Sequence, residues 1–418
     1  MDTQIRMHIM DTKTRIRITA IAVCLIIVAG CQSAHKQKKQ EIQAKWQKTV
    51  SEKKLSAAIE QFEAGQYEQA ETVAKECINS DSNLPDAHLL LGKVSLFHGD
   101  YHKAKDCFQT YVRLKQTSDE GWFLLGSVCE RLNDNDSAFR WYRKALELMP
   151  NGTDYVIAVS RMYVAQNDFI MAEKLYKEKI LANPADTDLK IAAAQMYLAW
   201  EQNDKAVQLY EEAHLINPEN NELLEALGTC YILAADWRKA GEIHRQLYQR
   251  CTDDVEKNRH LRIMAFTAAN AGDYSSAMKY YSLLTAQDRT NAELWFSMGQ
   301  AALGVGADDR AFECGQKVLS LQPDSMGAVA LIGCAQYASG NYAIAITEFE
   351  KIATDDKYGA FSWLMKARCY DRLGRVAKAK LAYQKALKMN PNSELGKFLA
   401  RDMEEAPLLL DGAARLIN

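Results

Sequence analysis

Little in this sequence offers chemistry of its own. Its 418 residues hold no glycine-rich phosphate loop, no paired-cysteine zinc motif and no separate α/β segment. Those absences exclude the nucleotide-driven and zinc-finger classes, and they leave no region large enough for a catalytic domain. Charge of one sign is lacking too. The 51 basic and 54 acidic residues leave a net charge of −3, which gives no electrostatic footprint for nucleic acid. Proline is scarce, with seven in all. None falls inside a predicted helix, where it would cost ~3 kcal/mol. The apolar run Ile18 to Val28 is too short to cross a bilayer, which takes about 20 residues.

What is present is a period. The stretch Asp119 to Gly152 carries Trp122, Leu125-Gly126, Ala138, Tyr142, Ala145 and Pro150. The same spacing recurs in units that start at Ser51, Pro85, Asp119, Thr153, Thr187, Asn221, Asn258, Ala292, Met326 and Ala360. One step, after Asn221, holds three extra residues, Val255 to Lys257. Position 20 of every unit is alanine, from Ala70 to Ala379, and position 8 is always small. Such columns are expected where two helices cross at close range, because a longer side chain would push them apart. Five prolines fall at position 32, and Gly65, Gly99, Gly272, Gly306, Gly340 and Gly374 mark turns between paired helices.

This pattern resembles the tetratricopeptide repeat (TPR), a 34-residue helix–turn–helix unit. The resemblance implies an all-α solenoid, a right-handed superhelix of about ten units. Residues 51–254 form repeats 1–6 and residues 258–393 form repeats 7–10. A capping helix is expected over 394–406, with a tail at 407–418. The three extra residues predict a joint between the sixth and seventh units. TPR solenoids line a groove with their first helices, mostly at positions 2, 5, 9, 12 and 13. On this basis Leu89, Leu96, Phe97, Phe123, Phe266, Phe296 and Tyr337 are expected to bind a peptide or helix of a partner protein. The carboxylate clamp of chaperone-type repeats is not matched. No cofactor and no catalytic role are expected.

The N-terminus is of another kind. Arg6, Lys13, Arg15 and Arg17 precede the short apolar run, as in a secretory signal. The run ends Val28-Ala29-Gly30-Cys31, which resembles the lipobox of bacterial lipoproteins. That resemblance implies removal of residues 1–30 and lipidation of Cys31. Gln32 resembles the outer-membrane case, facing the periplasm. Residues 31–50 then form a lysine-rich helical tether in which Ile42, Trp46 and Val50 share a face. A cap on the first repeat, an interfacial helix and a solvated tether all fit that pattern.

Of the ten cysteines, the eight that follow Cys24 and Cys31 lack the close spacings of a disulfide framework. Most replace small core residues, so buried free thiols are expected, with a Cys77–Cys107 bridge between adjacent units as the alternative. His98-Gly99-Asp100-Tyr101-His102 has the look of a metal cluster. However, Gly99 and Asp100 fall at a predicted turn, so the two histidines do not share a helical turn as zinc ligands would. The sequence thus predicts a membrane-anchored periplasmic scaffold that helps assemble an envelope complex. A non-catalytic subunit of a cell-wall or polysaccharide system is the alternative.

Overall fold

The computed structural model describes residues 48–390 without a break, and Lys38, Lys39, Ile42, Gln43, Lys45 and Trp46 ahead of them. The signal segment 1–30, Cys31, the expected cap at 394–406 and the tail lie outside the described residues. Every element among the described residues is helical. The chain divides into two compact units between Ala182 and Asn183.

The first unit holds four helix pairs: α1 (48–63) with α2 (Tyr67–Ser80), α3 (Pro85–Phe97) with α4 (Tyr101–Leu114), α5 (Asp119–Arg131) with α6 (Asn135–Leu148), and α7 (Thr153–Ala165) with α8 (Phe169–Ala182). The second holds six: α9 (Thr187–Ala199) with α10 (Asn203–Ile216), α11 (Asn221–Leu233) with α12 (Trp237–Arg250), α13 (Asp254–Asn270) with α14 (Tyr274–Gln287), α15 (Ala292–Gly304) with α16 (Asp308–Leu321), α17 (Met326–Ala338) with α18 (Tyr342–Lys351), and α19 (Gly359–Arg372) with α20 (Val376–Met389). It is an all-α TPR solenoid. Helices α3, α5, α7, α9, α11, α15 and α17 begin on the residue where the sequence period restarts.

Local chemistry explains those starts. Ser118, Asp186, Asn220, Asn291 and Ser325 each cap the following helix by accepting a backbone N–H. Each turn between paired helices bends through one residue in the left-handed region. Glycine fills it in six repeats, and Asn133, Asn167, Glu201 and Ala235 fill it in the other four. A left-handed residue closes the end of a helix at the least chain length.

The small columns lie where the paired helices cross. The alanines at position 20 are all buried. Opposite them, a Cβ added to Gly92 would sit 2.5 Å from the Phe108 ring. One added to Gly126 would sit 2.7 Å from that of Tyr142. The ring at position 24 therefore fills the space that the small residue leaves.

Two features depart from the regular unit. Val255 to Lys257 lie inside α13 and lengthen it to 17 residues, against 13 for α11 and α15. Helix α18 is only 10 residues long. In its last turn and just beyond it, the Ser362 hydroxyl donates to the Phe349 carbonyl at 2.5 Å and the Trp363 indole to that of Ala353 at 3.1 Å. Side chains of α19 thus take carbonyls that a fourth helical turn would otherwise use. In the tether, Ile42 and Trp46 are exposed and do not pack as a cap. All eight described cysteines are free. Seven are buried, and Cys251 is half-buried.

Candidate functional site

The first helices of the first unit carry the fullest set of predicted contact residues. Phe97, on the last turn of α3, is 58% exposed and stacks on Tyr67 of α2 at 3.8 Å. Tyr67 also meets the edge of Phe62 at 5.3 Å. Ile59, on α1, is exposed as well. Together these residues place an aromatic surface on α1, α2 and α3 that water reaches.

The neighbouring positions are built differently. Phe123 is half-buried between Tyr142 at 5.4 Å and Tyr155 at 5.0 Å. It packs on the core of its repeat, as do Leu89 and Leu96. Around it runs a ladder of charge. Lys93 of α3 pairs with Glu120 of α5 at 2.6 Å, and Glu130 of α5 pairs with Arg161 of α7 at 2.6 Å. The Tyr142 hydroxyl donates to Glu130 at 2.7 Å, and the Tyr155 hydroxyl to Asp119 at 2.9 Å. Burial, and then the adjacent carboxylate, push both phenols well above their ordinary value. This face therefore offers one exposed aromatic patch beside fixed, alternating charges.

In the second unit the predicted residues do not form one surface. Phe266 is 46% exposed and meets Trp237 edge-on at 5.7 Å. Phe296 is half-buried against three core clusters. Tyr337 is buried, with its ring 5.5 Å from Tyr342. Residues at positions 5 and 12 of the repeat pack between neighbouring first helices, and this accounts for Phe123, Phe296 and Tyr337. Positions 13 and 9 hold Phe97 and Phe266 clear of that contact.

Sequence reasoning passed over Tyr67 and Trp237, the partners of the two exposed phenylalanines. Both stand two residues after a left-handed turn residue, at Gly65 and Ala235. Tyr101, Tyr274 and Tyr342 stand in the same place, so the signal is legible. It was the ion-pair ladder that had no such marker. The two histidines near Gly99 are exposed. His98 lies edge-on to Phe97 at 5.7 Å, and His102 sits in the first turn of α4.

A family model described as tetratricopeptide repeat matches residues 119–151 and 360–393. Among curated proteins, the chain is 24% identical over 155 residues to human cilia- and flagella-associated protein 70, covering 35% of this chain and 14% of that protein. It is 29% identical over 98 residues to the peroxisomal targeting signal receptor of Saccharomyces cerevisiae, covering 22% of this chain and 16% of the receptor. The chain thus spans less than a fifth of the length of these curated relatives. A solved tetratricopeptide repeat protein from Parabacteroides merdae is similar at 13% identity and a TM-score of 0.43, over 68% of this chain and 98% of that one. TPR repeats are in general non-catalytic, and their fold binds peptides or other proteins. With helix pairs of this one design throughout the described residues, the chain is a tetratricopeptide-repeat protein.

Proposed function

We propose that this protein is a lipid-anchored scaffold of the bacterial envelope that captures a segment of a partner protein on the first helices of its first repeats, during assembly of an envelope complex. The observation that carries the reading is the exposed Phe97–Tyr67 stack, with Ile59 exposed nearby and the Lys93–Glu120 and Glu130–Arg161 pairs on the neighbouring helices. An apolar residue of a partner helix gains from covering such a ring, and flanking charges set its register. The envelope location is supported by Val28-Ala29-Gly30-Cys31 followed by Gln32.

Crosslinking in the native membrane tests both parts. Phe97→Ser is expected to lower partner recovery several-fold while leaving helical content intact, since the side chain is mostly exposed. Unchanged recovery would remove the patch from the reading. Cys31→Ser is expected to abolish fatty-acid labelling and shift the chain to the soluble fraction. Labelling that persists in that variant would end the anchor.

A further inference from the structure

Helix α12 carries a glycine in its interior, Gly241. At the same place the other nine repeats hold a larger side chain, such as Phe139, Val207, Met278 or Ile346. Glycine is the least favourable ordinary residue for a helix interior, and its φ here needs no glycine, because it lies outside the positive-φ set. What the missing side chain leaves is space. A trough of about 210 Å³ opens over Gly241, walled by α12, α13 and α14. A Cβ there would meet the Thr267 hydroxyl at 3.0 Å.

The walls are not bland. Trp237 and Tyr280, both half-buried, supply two aromatic faces. Arg238 and Arg245 stand seven residues, or two turns, apart on α12. Neither guanidinium forms a hydrogen bond or ion pair among the described residues. Two carboxylates also line the trough. Asp273 is committed to capping α14, where it accepts the Ser276 N–H at 3.1 Å, and it feels Arg245 through space. Glu242 is exposed beside Gly241. Arg238, next to Trp237, forms no ion pair with either carboxylate, although Glu242 stands one turn along α12 from it.

We propose that this trough binds a carboxylate carried on an aromatic body of about one residue. Arg238 takes the carboxylate through its planar fork of donors. Trp237 and Tyr280 hold the body, and Gly241 keeps the floor open. Aromatic walls with a few placed charged groups are a usual form of a selective site. The ligand is either a free aromatic acid or the C-terminal residue of a peptide. The site is independent of the surface around Phe97.

Calorimetric titration of the full chain tests it. The probes are N-acetylphenylalanine, its amide, and a hexapeptide ending in phenylalanine with a free or amidated terminus. Acids are expected to bind and amides not to. Binding of both acids indicates a peptide terminus, whereas binding of N-acetylphenylalanine alone indicates a free acid. Arg238→Gln is expected to weaken binding at least tenfold with an unchanged melting temperature, and Gly241→Met to abolish it by refilling the trough. Should Gly241→Met melt early, Arg238→Gln decides alone. The site is refuted if neither acid binds at millimolar concentration, if acid and amide bind alike, or if Arg238→Gln binds as the parent does.

Discussion

The third and sixth repeats use the same crossing with different fillings. In the third, Gly126 and Ala138 make room for the ring of Tyr142. In the sixth, Gly228 and Ala240 make room for the imidazole of His244. Both rings are 1% exposed. The tyrosine is long enough for its hydroxyl to reach the Glu130 carboxylate. The imidazole is not. Its Nδ1 faces the Nδ1 of His260 on α13 at 3.2 Å, and its Nε2 has no partner. The column thus fixes the size and flatness of the side chain and leaves its chemistry open. Where the polar atom finds a partner, the crossing holds no buried base. Where it stays inside, the crossing must keep both rings neutral.

Acid should expose that difference most strongly. Two facing Nδ1 atoms share one proton, so one ring donates and the other accepts. Burial lowers the His244 pKa to about 4, and burial lowers that of His260 as well. Around the pair, Arg259 disfavours a further positive charge, whereas Glu225 and Glu256 favour it. In the unfolded chain a histidine titrates near 6.5. Between those values the unfolded state binds more protons, so stability is complete above pH ~6.5 and falls as pH drops toward 4. The loss from His244 is on the order of 3 kcal/mol. The depressed carboxylates act lower: Glu71, held at about 2 chiefly by its bond to Lys103, loses its contribution only as pH falls below the normal carboxylate range. Denaturant midpoints at pH 7, 5.5 and 4.5 should therefore drop for the parent. The double variant His244→Phe/His260→Leu uses residues that other repeats hold at these places (Phe108 and Leu294) and should be flat over that interval. Parallel curves would mean that the pair senses nothing.

A second test asks whether the two crossings are equally tight. Ala138 and Ala240 are both fully buried. Leucine at either should cost about 1–3 kcal/mol by overpacking. Thermal melts should place the two variants together. A tolerated Ala240→Leu would show that the smaller imidazole leaves slack that Tyr142 does not.

How much of this was legible follows from what repeats and what does not. The crossings, the turns and seven helix starts are set by columns, and ten copies in phase make a column visible. Phe97 could be marked as exposed because position 13 lies beyond the contact between first helices. Phe123 and Tyr337 looked equivalent in a list of apolar residues, yet neighbouring helices cover them. That covering depends on packing between units, which a single-unit pattern does not describe. The His244–His260 pair was hidden for the same reason. Each histidine stands alone in its column, and only the packing of α12 on α13 brings them together. Lys366 is a further case. It occupies the place where other repeats hold Leu125, Leu227 or Met298, and it is buried with a pKa lowered to about 8 by that burial and by Lys385.

The smallest expected difference between the two repeats lies in their turns. Asn133 closes the third at φ 59° and Ala235 closes the sixth at φ 56°. The left-handed region costs an ordinary L-residue roughly 1–2 kcal/mol, and asparagine tolerates it better than alanine. Ala235→Gly should therefore stabilise by about 1 kcal/mol, after the greater freedom of glycine in the unfolded chain is subtracted. Asn133→Gly should gain less. The reverse change offers a control free of steric conflict. Gly99 adopts φ 76°, and a Cβ there would meet nothing within 4 Å. Any loss in Gly99→Ala is then conformational and should match the gain at Ala235 in size. Paired melting curves of the three variants measure this directly. A gain at Asn133 as large as that at Ala235 would mean that side-chain identity at the turn does not matter. The four repeats without glycine would then carry no strain there.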